Sequence, residues 1–409
     1  MSVEVGGRVR RFRVAAGLRA QDLAAQVGLD ATALSKIENG RRGVKSTELA
    51  LLANALKISP MALLEDNPLL SKLPIAARAA GPSIKVGGAY ERLVSLTELH
   101  VILADGGIRS SPNLASIPSL HGADWMESAN ALSDWALSQL PLLAKGDQRL
   151  GALADGIEAL LKVDVLIEDF PNDVLSGASI TDSEFPLLFV NSAYSRPRSL
   201  FTMAHELGHL LAGHVDGGVA LDRELSGSTE MERMANAFAA RYLMPKDDIA
   251  QKLEQDGRRM STLVELTDEY GVSYQTLVYR LHNLRLINAD VRDRLMSLSW
   301  QALLNLAESA LRESGLSQAS IGKLRGRSQA KPAGRPPAML LRRAFDGFRK
   351  GIISVRPLAG LLKEDAALLL SELSDTADGM DISAYFDRSQ DADNSADVTD
   401  EELFSGTPV

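Results

Sequence analysis

The amino-acid sequence predicts an α+β fold that is mainly α-helical and contains one small β-sheet. Apolar residues recur at the helical spacing i, i+3, i+4 and i+7 through most of the chain. Three short runs, 163–170, 173–180 and 186–191, are instead typical of strands, and turn residues separate them. With 409 residues, 45% hydrophobic and 24% charged, the chain is expected to form roughly two to four globular domains.

Residues 1–66 are predicted to form a helix-turn-helix domain. Five short amphipathic patterns are separated by turns of a few residues, and they cover 8–16, 20–27, 31–39, 46–56 and 60–64. The second and third helices are joined by Gly28-Leu29-Asp30, in which Asp30 can cap the third helix. In this arrangement the third helix enters the major groove of DNA, and surrounding basic residues neutralise phosphates.

The string from Gly17 to Leu64 resembles the Cro/repressor-type (XRE family) DNA-binding domain along its whole length. Its most specific parts are the Gln-Asp-Leu-Ala start of the second helix and the Ser-Lys-Ile-Glu-Asn-Gly end of the third. The resemblance implies an operator in double-stranded DNA and a homodimer that reads paired half-sites. It assigns six contact residues: Gln21 at the backbone, Thr32, Ser35 and Lys36 in the groove, and Arg41 and Arg42 on phosphate. A helical bundle used only for protein contacts is the alternative.

The distribution of charge agrees with a nucleic-acid partner although the net charge is -9. Residues 1–65 contain ten basic and six acidic residues. At the other end, residues 375–409 contain ten acidic residues and one basic residue, so this tail alone has a net charge equal to the -9 of the whole chain. This acidic tail is expected to be disordered.

The middle of the chain is predicted from local patterns in order. Residues 67–121 are interpreted as a connecting segment with one helix at 88–104, and further helices are expected at 123–142 and 147–162 before the three strands. Residues 291–374 are expected to form a helical C-terminal region. Within it, 318–338 has five basic residues, no acidic ones and several Pro and Gly, and is interpreted as a linker.

Composition limits the chemistry that the chain can perform. It contains no cysteine, which excludes disulfides, thiolate nucleophiles and Cys-ligated zinc. A metal site must therefore use carboxylates and some of the six histidines, three of which fall within ten residues. No run of 18 apolar residues and no signal sequence is present, so a cytoplasmic protein without a membrane segment is expected.

The clustered histidines lie in the motif His205-Glu206-Leu207-Gly208-His209, within an apolar helical pattern. Two histidines four residues apart project from one helix face and can bind one zinc ion. Glu206 can then reach a water molecule at the metal. For a third ligand, His214 is out of register, whereas Glu232 on the next helix could complete a His-His-Glu set. Asn236, one turn later, could orient a histidine ring. Taken alone, a residue such as Glu232 would more often be a solvated helix carboxylate, but the HExxH motif before it changes that weighting.

From about residue 125 to 290 the chain resembles the ImmA/IrrE family of metallopeptidase domains. The resemblance is carried by FVNSAYSRPRSLFTMAHELGHLLAGH at 189–214, by the ExxANxFAxxYLMP pattern at 232–245 and by YGVSYQTLVYRLHNLRLI at 270–287. It implies a zincin-like domain over 122–290 that holds Zn²⁺ through His205, His209 and Glu232, with Glu206 as general base and acid. Family members act as site-limited endopeptidases on helix-turn-helix repressors.

Two further features concern the substrate. The run PLLFVN at 186–191 could be an edge strand that pairs with an extended peptide, with Asn191 at its end; an ordinary core strand is the alternative. Tyr194, Arg241 and Tyr242 are candidates to stabilise an oxyanion, although Tyr242 lies in an apolar helix that favours packing.

The resulting prediction is a DNA-binding transcriptional regulator whose zinc endopeptidase domain cleaves itself or a partner repressor. In the first alternative the protease-like domain is a non-hydrolytic ligand sensor or dimerisation module. The second alternative is an antitoxin or phage-type immunity regulator.

Overall fold

A computed structural model of the protein describes most of the chain. The described residues are 2–15, 18–56, 60–64, 88–114, 116–120, 123–171, 175–182, 184–213, 219–222, 229–326 and 330–375. The acidic tail lies outside them from residue 376 onward, as does His214. None of the helices in these ranges has both the length and the apolarity needed to cross a membrane.

The N-terminal domain contains the five predicted helices. They are α1 Ser2–Ala15, α2 Ala20–Gln26, α3 Ala31–Glu38, α4 Ser46–Leu56 and α5 Pro60–Leu64. Buried Phe12, Leu23, Leu34 and Leu52 form a core between them. The predicted cap is confirmed, because Asp30 Oδ1 accepts a hydrogen bond of 2.7 Å from the backbone N–H of Ala33.

A four-stranded sheet forms the centre of the rest of the chain. The strands are β1 Asp164–Glu168, β2 Gly177–Thr181, β3 Pro186–Asn191 and β4 Val219–Asp222, in the order β1-β3-β2-β4. β1 is parallel to β3, whereas β2 is antiparallel to both β3 and β4. All residues of β1 and β3 are buried, which explains why these segments are apolar runs without alternation.

Two sequence predictions about this sheet are corrected. β3 is a central strand with neighbours on both sides, so the interpretation of PLLFVN as an edge strand is wrong. β4 was not predicted, because its four residues are too few to show an alternating pattern. β4 is the edge strand on the β2 side.

One face of the sheet is covered by a continuous helical layer with one apolar core. Its helices are α7 Trp125–Gln139, α8 Arg149–Gly156 with a π-helical turn at Ile157–Leu161, α9 Arg196–Ala212, α10 Glu230–Leu243, α11 Lys246–Gln255, α12 Met260–Tyr270, α13 Tyr274–Asn283, α14 Ala289–Met296, α15 Trp300–Glu313 and α16 Gln318–Gly326. A 3-10 turn at Gly146–Gln148 precedes α8.

The opposite face of the sheet is covered by segments that were predicted to lie outside the metallopeptidase domain. α6 (Gly88–Asp105), α17 (Ala338–Arg349), α18 (Val355–Leu362) and α19 (Ala366–Asp375) bury a second core against it. The described part of the connecting segment and of the C-terminal region is therefore an integral layer of the central fold.

The prediction that 318–338 is a linker is also wrong. Its first half is α16, and its second half lies along the outer edge of β1. There the backbone of Arg335 exchanges two hydrogen bonds of 3.0 and 2.7 Å with Ile167. The Arg335 side chain pairs with Glu158 and, at 2.6 Å, with Asp155. The charge of Arg335, one of the five basic residues in this segment, is thus neutralised by carboxylates.

A buried polar network joins the second helical layer to the sheet. Arg343 on α17 donates to Asp164 of β1 at 2.5 Å, and its other terminal nitrogen lies 2.8 Å from Nδ1 of His100 on α6. The His100 ring stacks on Phe185 with a centroid separation of 4.5 Å. Burial, reinforced by the charge of Arg343, lowers the pKa of His100 to about 4, so this ring is neutral at pH 7.

Candidate metal centre and nucleic-acid interface

The HExxH motif lies on α9, as its apolar pattern predicts. This helix has a proline, Pro197, in its first turn, where no intrahelical donor is needed, and it ends at Gly213 with a φ of +63°. His205 and Glu206 are fully buried, and His209 is 3% exposed. The chain therefore places three ionisable side chains inside the protein on one helix, which indicates a purpose other than solubility.

The structure brings the predicted ligands together. His205 Nε2 lies 3.0 Å from His209 Nε2 and 3.2 Å from Glu232 Oε2, and His209 Nε2 lies 3.3 Å from Glu232 Oε1. Ligand atoms at about 2.0–2.2 Å from a tetrahedral zinc ion are separated by about 3.3–3.5 Å. The separations of 3.0–3.3 Å among the two ring nitrogens and the carboxylate oxygens of Glu232 are close to this spacing and slightly shorter. In the part of the chain that the structure describes, His205, His209 and Glu232 form a cluster that could hold a metal ion.

Glu232 is oriented by the start of α10. The hydroxyl of Thr229, the N-cap residue, accepts a hydrogen bond of 3.2 Å from the backbone N–H of Glu232, which fixes the first turn. Burial by itself raises the pKa of this carboxyl, but hydrogen bonds from His205 and His209 outweigh it and bring the pKa well below its usual value. Glu232 is therefore an ionised carboxylate, the form that binds a metal.

Asn236 lies behind the first histidine. Its side-chain oxygen is 3.0 Å from Nδ1 of His205, on the side of the ring away from Glu232. Because an amide oxygen only accepts, Nδ1 donates to it, and Nε2 is the ring nitrogen that faces Glu232 and would bind a metal. The one-turn spacing between Glu232 and Asn236 in the sequence predicts this contact.

Gly208, inside the motif, allows α9 and α10 to approach closely. A Cβ atom at this position would lie 2.9 Å from Cδ1 of Phe238 and 3.3 Å from the Cα of Ala235. The missing side chain therefore brings Glu232 on α10 within reach of both histidines. Sequence reasoning did not single out this glycine, although its place between the two histidines is a usable signal.

Gly177, at the start of β2, was also missed by sequence reasoning. A Cβ atom there would lie 2.5 Å from Cγ2 of Thr202 and 2.8 Å from Oε1 of Glu206. The backbone of β2 consequently lies directly against the Glu206 carboxylate and limits its movement. No local pattern identifies this residue, since the contact depends on how the sheet packs on α9.

Asn191 is not available for a substrate, in contrast to the sequence prediction. It is 1% exposed, and its amide nitrogen donates to the backbone oxygens of Phe170 and Leu175, each at 3.0 Å. Its side-chain oxygen accepts from the backbone N–H groups of Phe170 and Ala193, each at 3.0 Å. All four contacts are internal, so Asn191 organises the loops at the end of the sheet.

The three candidates for oxyanion stabilisation have other partners. The hydroxyl of buried Tyr242 donates to the backbone oxygen of Leu140 at 2.6 Å, which agrees with the packing role that its apolar helix favours. Arg241 pairs with Asp134 at 2.7 Å. The ring of Tyr194 lies under the guanidinium of Arg198, at 4.0 Å from its centroid.

The predicted DNA-contact residues lie on α2, on α3 and in the turn that follows α3. Five of the six side chains are exposed: Gln21, Thr32, Ser35, Lys36 and Arg41. Arg42 is half-buried because it forms an ion pair of 2.5 Å with Glu48, so its charge is partly neutralised. Arg13 and Glu38 form a half-buried ion pair of 2.6 Å that fixes α1 against α3.

Two parts of the chain match known families. Residues 4–65 match the helix-turn-helix domain family, and residues 159–282 match the IrrE N-terminal-like domain family. The radiation response metalloprotease IrrE of Deinococcus radiodurans is 35% identical over 108 residues. That similarity covers 24% of this chain and 32% of the relative, about a third of the relative's length.

Two solved structures were also similar, with low scores. Bacillus thuringiensis PlcR in complex with the peptide PapR7 and DNA has 13% identity and a TM-score of 0.16, with 86% of this chain and 99% of that chain covered. ComR from Streptococcus suis has 11% identity and a TM-score of 0.15, with 90% and 95% covered. These scores do not establish a shared overall fold.

The family matches and the geometry together support a regulator with a helix-turn-helix domain and a protease-like domain. More specifically, the chain combines a helix-turn-helix domain over residues 4–65 with an IrrE-like domain over residues 159–282. The first domain supports DNA binding, and the second implies a metal ion.

Proposed function

We propose that the protein is a transcriptional regulator whose IrrE-like domain is a zinc endopeptidase that cleaves a protein, either this chain itself or a partner repressor. The observation that supports it most strongly is the convergence of His205, His209 and Glu232 to 3.0–3.3 Å, with the fully buried Glu206 on the same helix as the two histidines. This set combines three metal ligands with a fourth group that is suited to proton transfer.

In this proposal His205, His209 and Glu232 hold the zinc ion. When bound, zinc supplies Lewis-acid chemistry, because it makes water more acidic and polarises a peptide carbonyl. Glu206 accepts the proton of the attacking water and later delivers it to the leaving amine. β2 keeps the Glu206 carboxylate in place through its close contact at Gly177. Asn236 holds His205 in the tautomer with the proton on Nδ1.

In this proposal the N-terminal domain binds the operator of the regulated gene. Exposed Thr32, Ser35 and Lys36 on α3 are suited to read bases of an operator, and Arg41 is suited to a phosphate contact. We expect a homodimer that reads paired half-sites, and we expect the protein to act in the cytoplasm. Cleavage within or near a DNA-binding domain would then release the operator.

The variant Glu206→Gln tests the proposal in cells. The amide keeps the size of the side chain but cannot accept a proton, so zinc binding and operator binding should remain while hydrolysis stops. The expected result is that the target promoter no longer responds in this variant. Normal induction with Glu206→Gln would contradict the protease function and would favour a ligand sensor.

A further inference from the structure

A separate cavity of about 390 Å³ lies among α11, α12, α13 and α14, and none of the proposed metal ligands lines it. Each of these helices contributes a buried leucine to the wall: Leu253, Leu263, Leu281 and Leu295. Small-molecule sites in proteins typically enclose about 300–1,000 Å³ and are mostly apolar. The cavity therefore has the size and lining of a site for a small ligand.

The polar groups of this cavity carry positive charge. Arg258 and Arg259, in the turn between α11 and α12, line it together with Asn288, and no acidic residue does. Arg258 Nη1 donates to the backbone oxygen of Leu286 at 3.1 Å, which holds the guanidinium at the rim. Both arginine side chains are exposed, and within the described ranges neither forms an ion pair with a carboxylate.

The start of α12 adds to the positive potential at this rim. Arg259 is the N-cap residue of α12. The first-turn backbone N–H groups at this end of a helix have no intrahelical acceptor and carry partial positive charge. The rim therefore combines two guanidinium groups with helix N–H donors, next to an apolar interior. A ligand that matches both parts has an anionic head and an apolar body.

We propose that this cavity binds a small amphipathic carboxylate, with its hydrocarbon chain against the four leucines and its carboxylate at Arg258 and Arg259. The arginine fork suits a carboxylate, which it can bind through two N–H groups. A ligand that fills the space among four helices holds them together, so binding should stabilise the folded protein.

Octanoate is the probe for a binding test on the full-length protein, with octan-1-ol and octylammonium as uncharged and cationic comparators. Isothermal titration calorimetry should show saturable binding of octanoate, at least about tenfold tighter than binding of either comparator. The thermal midpoint should rise with octanoate concentration.

Two variants assign the binding to this cavity. The double substitution Arg258→Gln and Arg259→Gln should weaken octanoate about tenfold or more and leave octan-1-ol unchanged. Val291→Phe places a larger side chain in the cavity from its half-buried rim and should weaken both. Arg292→Gln is the control, because it removes one nearby positive charge from a residue that does not line the cavity.

Three outcomes would overturn the inference. One is the absence of saturable octanoate binding up to its solubility limit. Another is equal affinity for all three probes, which would show that the arginines do not select charge. The third is undiminished octanoate binding in both the double arginine variant and Val291→Phe. Since the readout is binding, the result does not depend on whether the metal centre hydrolyses peptides.

Discussion

Asn236 provides a direct test of how the metal centre is organised. When Nε2 of His205 binds a metal, the ring proton must be on Nδ1, and Asn236 accepts it at 3.0 Å. In Asn236→Ala this donor, on a fully buried ring, loses its acceptor. Leaving a buried donor without a partner costs about 1–3 kcal/mol. In the metal-free protein the ring can avoid part of this cost by adopting the other tautomer, so the penalty falls mainly on the zinc-bound state.

The expected effect is a loss of zinc affinity of about 10- to 100-fold, since about 1.4 kcal/mol corresponds to a factor of ten. Competition titration against a zinc-binding fluorophore measures it. Asn236→Asp is the matched control, because it keeps an acceptor at the same position and should bind zinc at least as tightly as the wild type. A zinc affinity for Asn236→Ala within about twofold of wild type, with unchanged circular dichroism, would refute this reasoning.

Three further predictions follow from individual contacts. Gly177→Ala should lower the free energy of unfolding by about 1–3 kcal/mol, because the new Cβ overlaps Thr202 and Glu206. For DNA, Arg41→Ala should weaken binding across sequences and reduce the salt dependence by about one ion, whereas Thr32→Ala should chiefly change sequence preference. For pH, the wild type should lose about 2 kcal/mol more stability than His100→Phe between pH 7 and pH 5.

The sign of the pH prediction follows from the lowered pKa of His100, about 4 in the folded protein against 6.5 for the free side chain. Between these values the unfolded chain binds a proton that the folded protein does not, so stability falls as the pH falls. Urea unfolding at both pH values measures this loss of stability, and an equal loss in the wild type and in His100→Phe would contradict the prediction.

Gly360→Ala, where an added Cβ meets nothing within 4 Å, is the control for Gly177→Ala. Salt-independent DNA affinity of the protein would contradict the prediction for Arg41.

Local patterns predicted the helices well, and they singled out three side chains that the structure brings together. The helix-turn-helix domain follows from short-range signals such as the cap at Asp30, and the pairing of His205 with His209 follows from helix geometry alone. Glu232 could be predicted as a ligand because it lies in an amphipathic helical pattern that follows the HExxH motif closely in sequence. These features depend on residues that are close in sequence.

The errors arose where distant segments decide the structure. PLLFVN becomes a central strand only because β1 and β2 pair on its two sides. The composition of 318–338, basic and with several Pro and Gly, predicts a linker. The structure differs because Arg335 pairs with Glu158, which is 177 positions away in sequence and leaves no local signal. Gly177 contacts Glu206 through the packing of the sheet on α9, which has no local signature.

The most direct test of the proposed function compares intact masses after incubation of the zinc-loaded wild type and Glu206→Gln, each alone and with the repressor encoded nearby. The proposal predicts one dominant cleavage in the wild-type sample, in this chain or in the repressor. It predicts none with Glu206→Gln at equal zinc content, because only the proton acceptor has been removed. Intact masses in both samples, with one zinc bound per chain, would contradict the proposal.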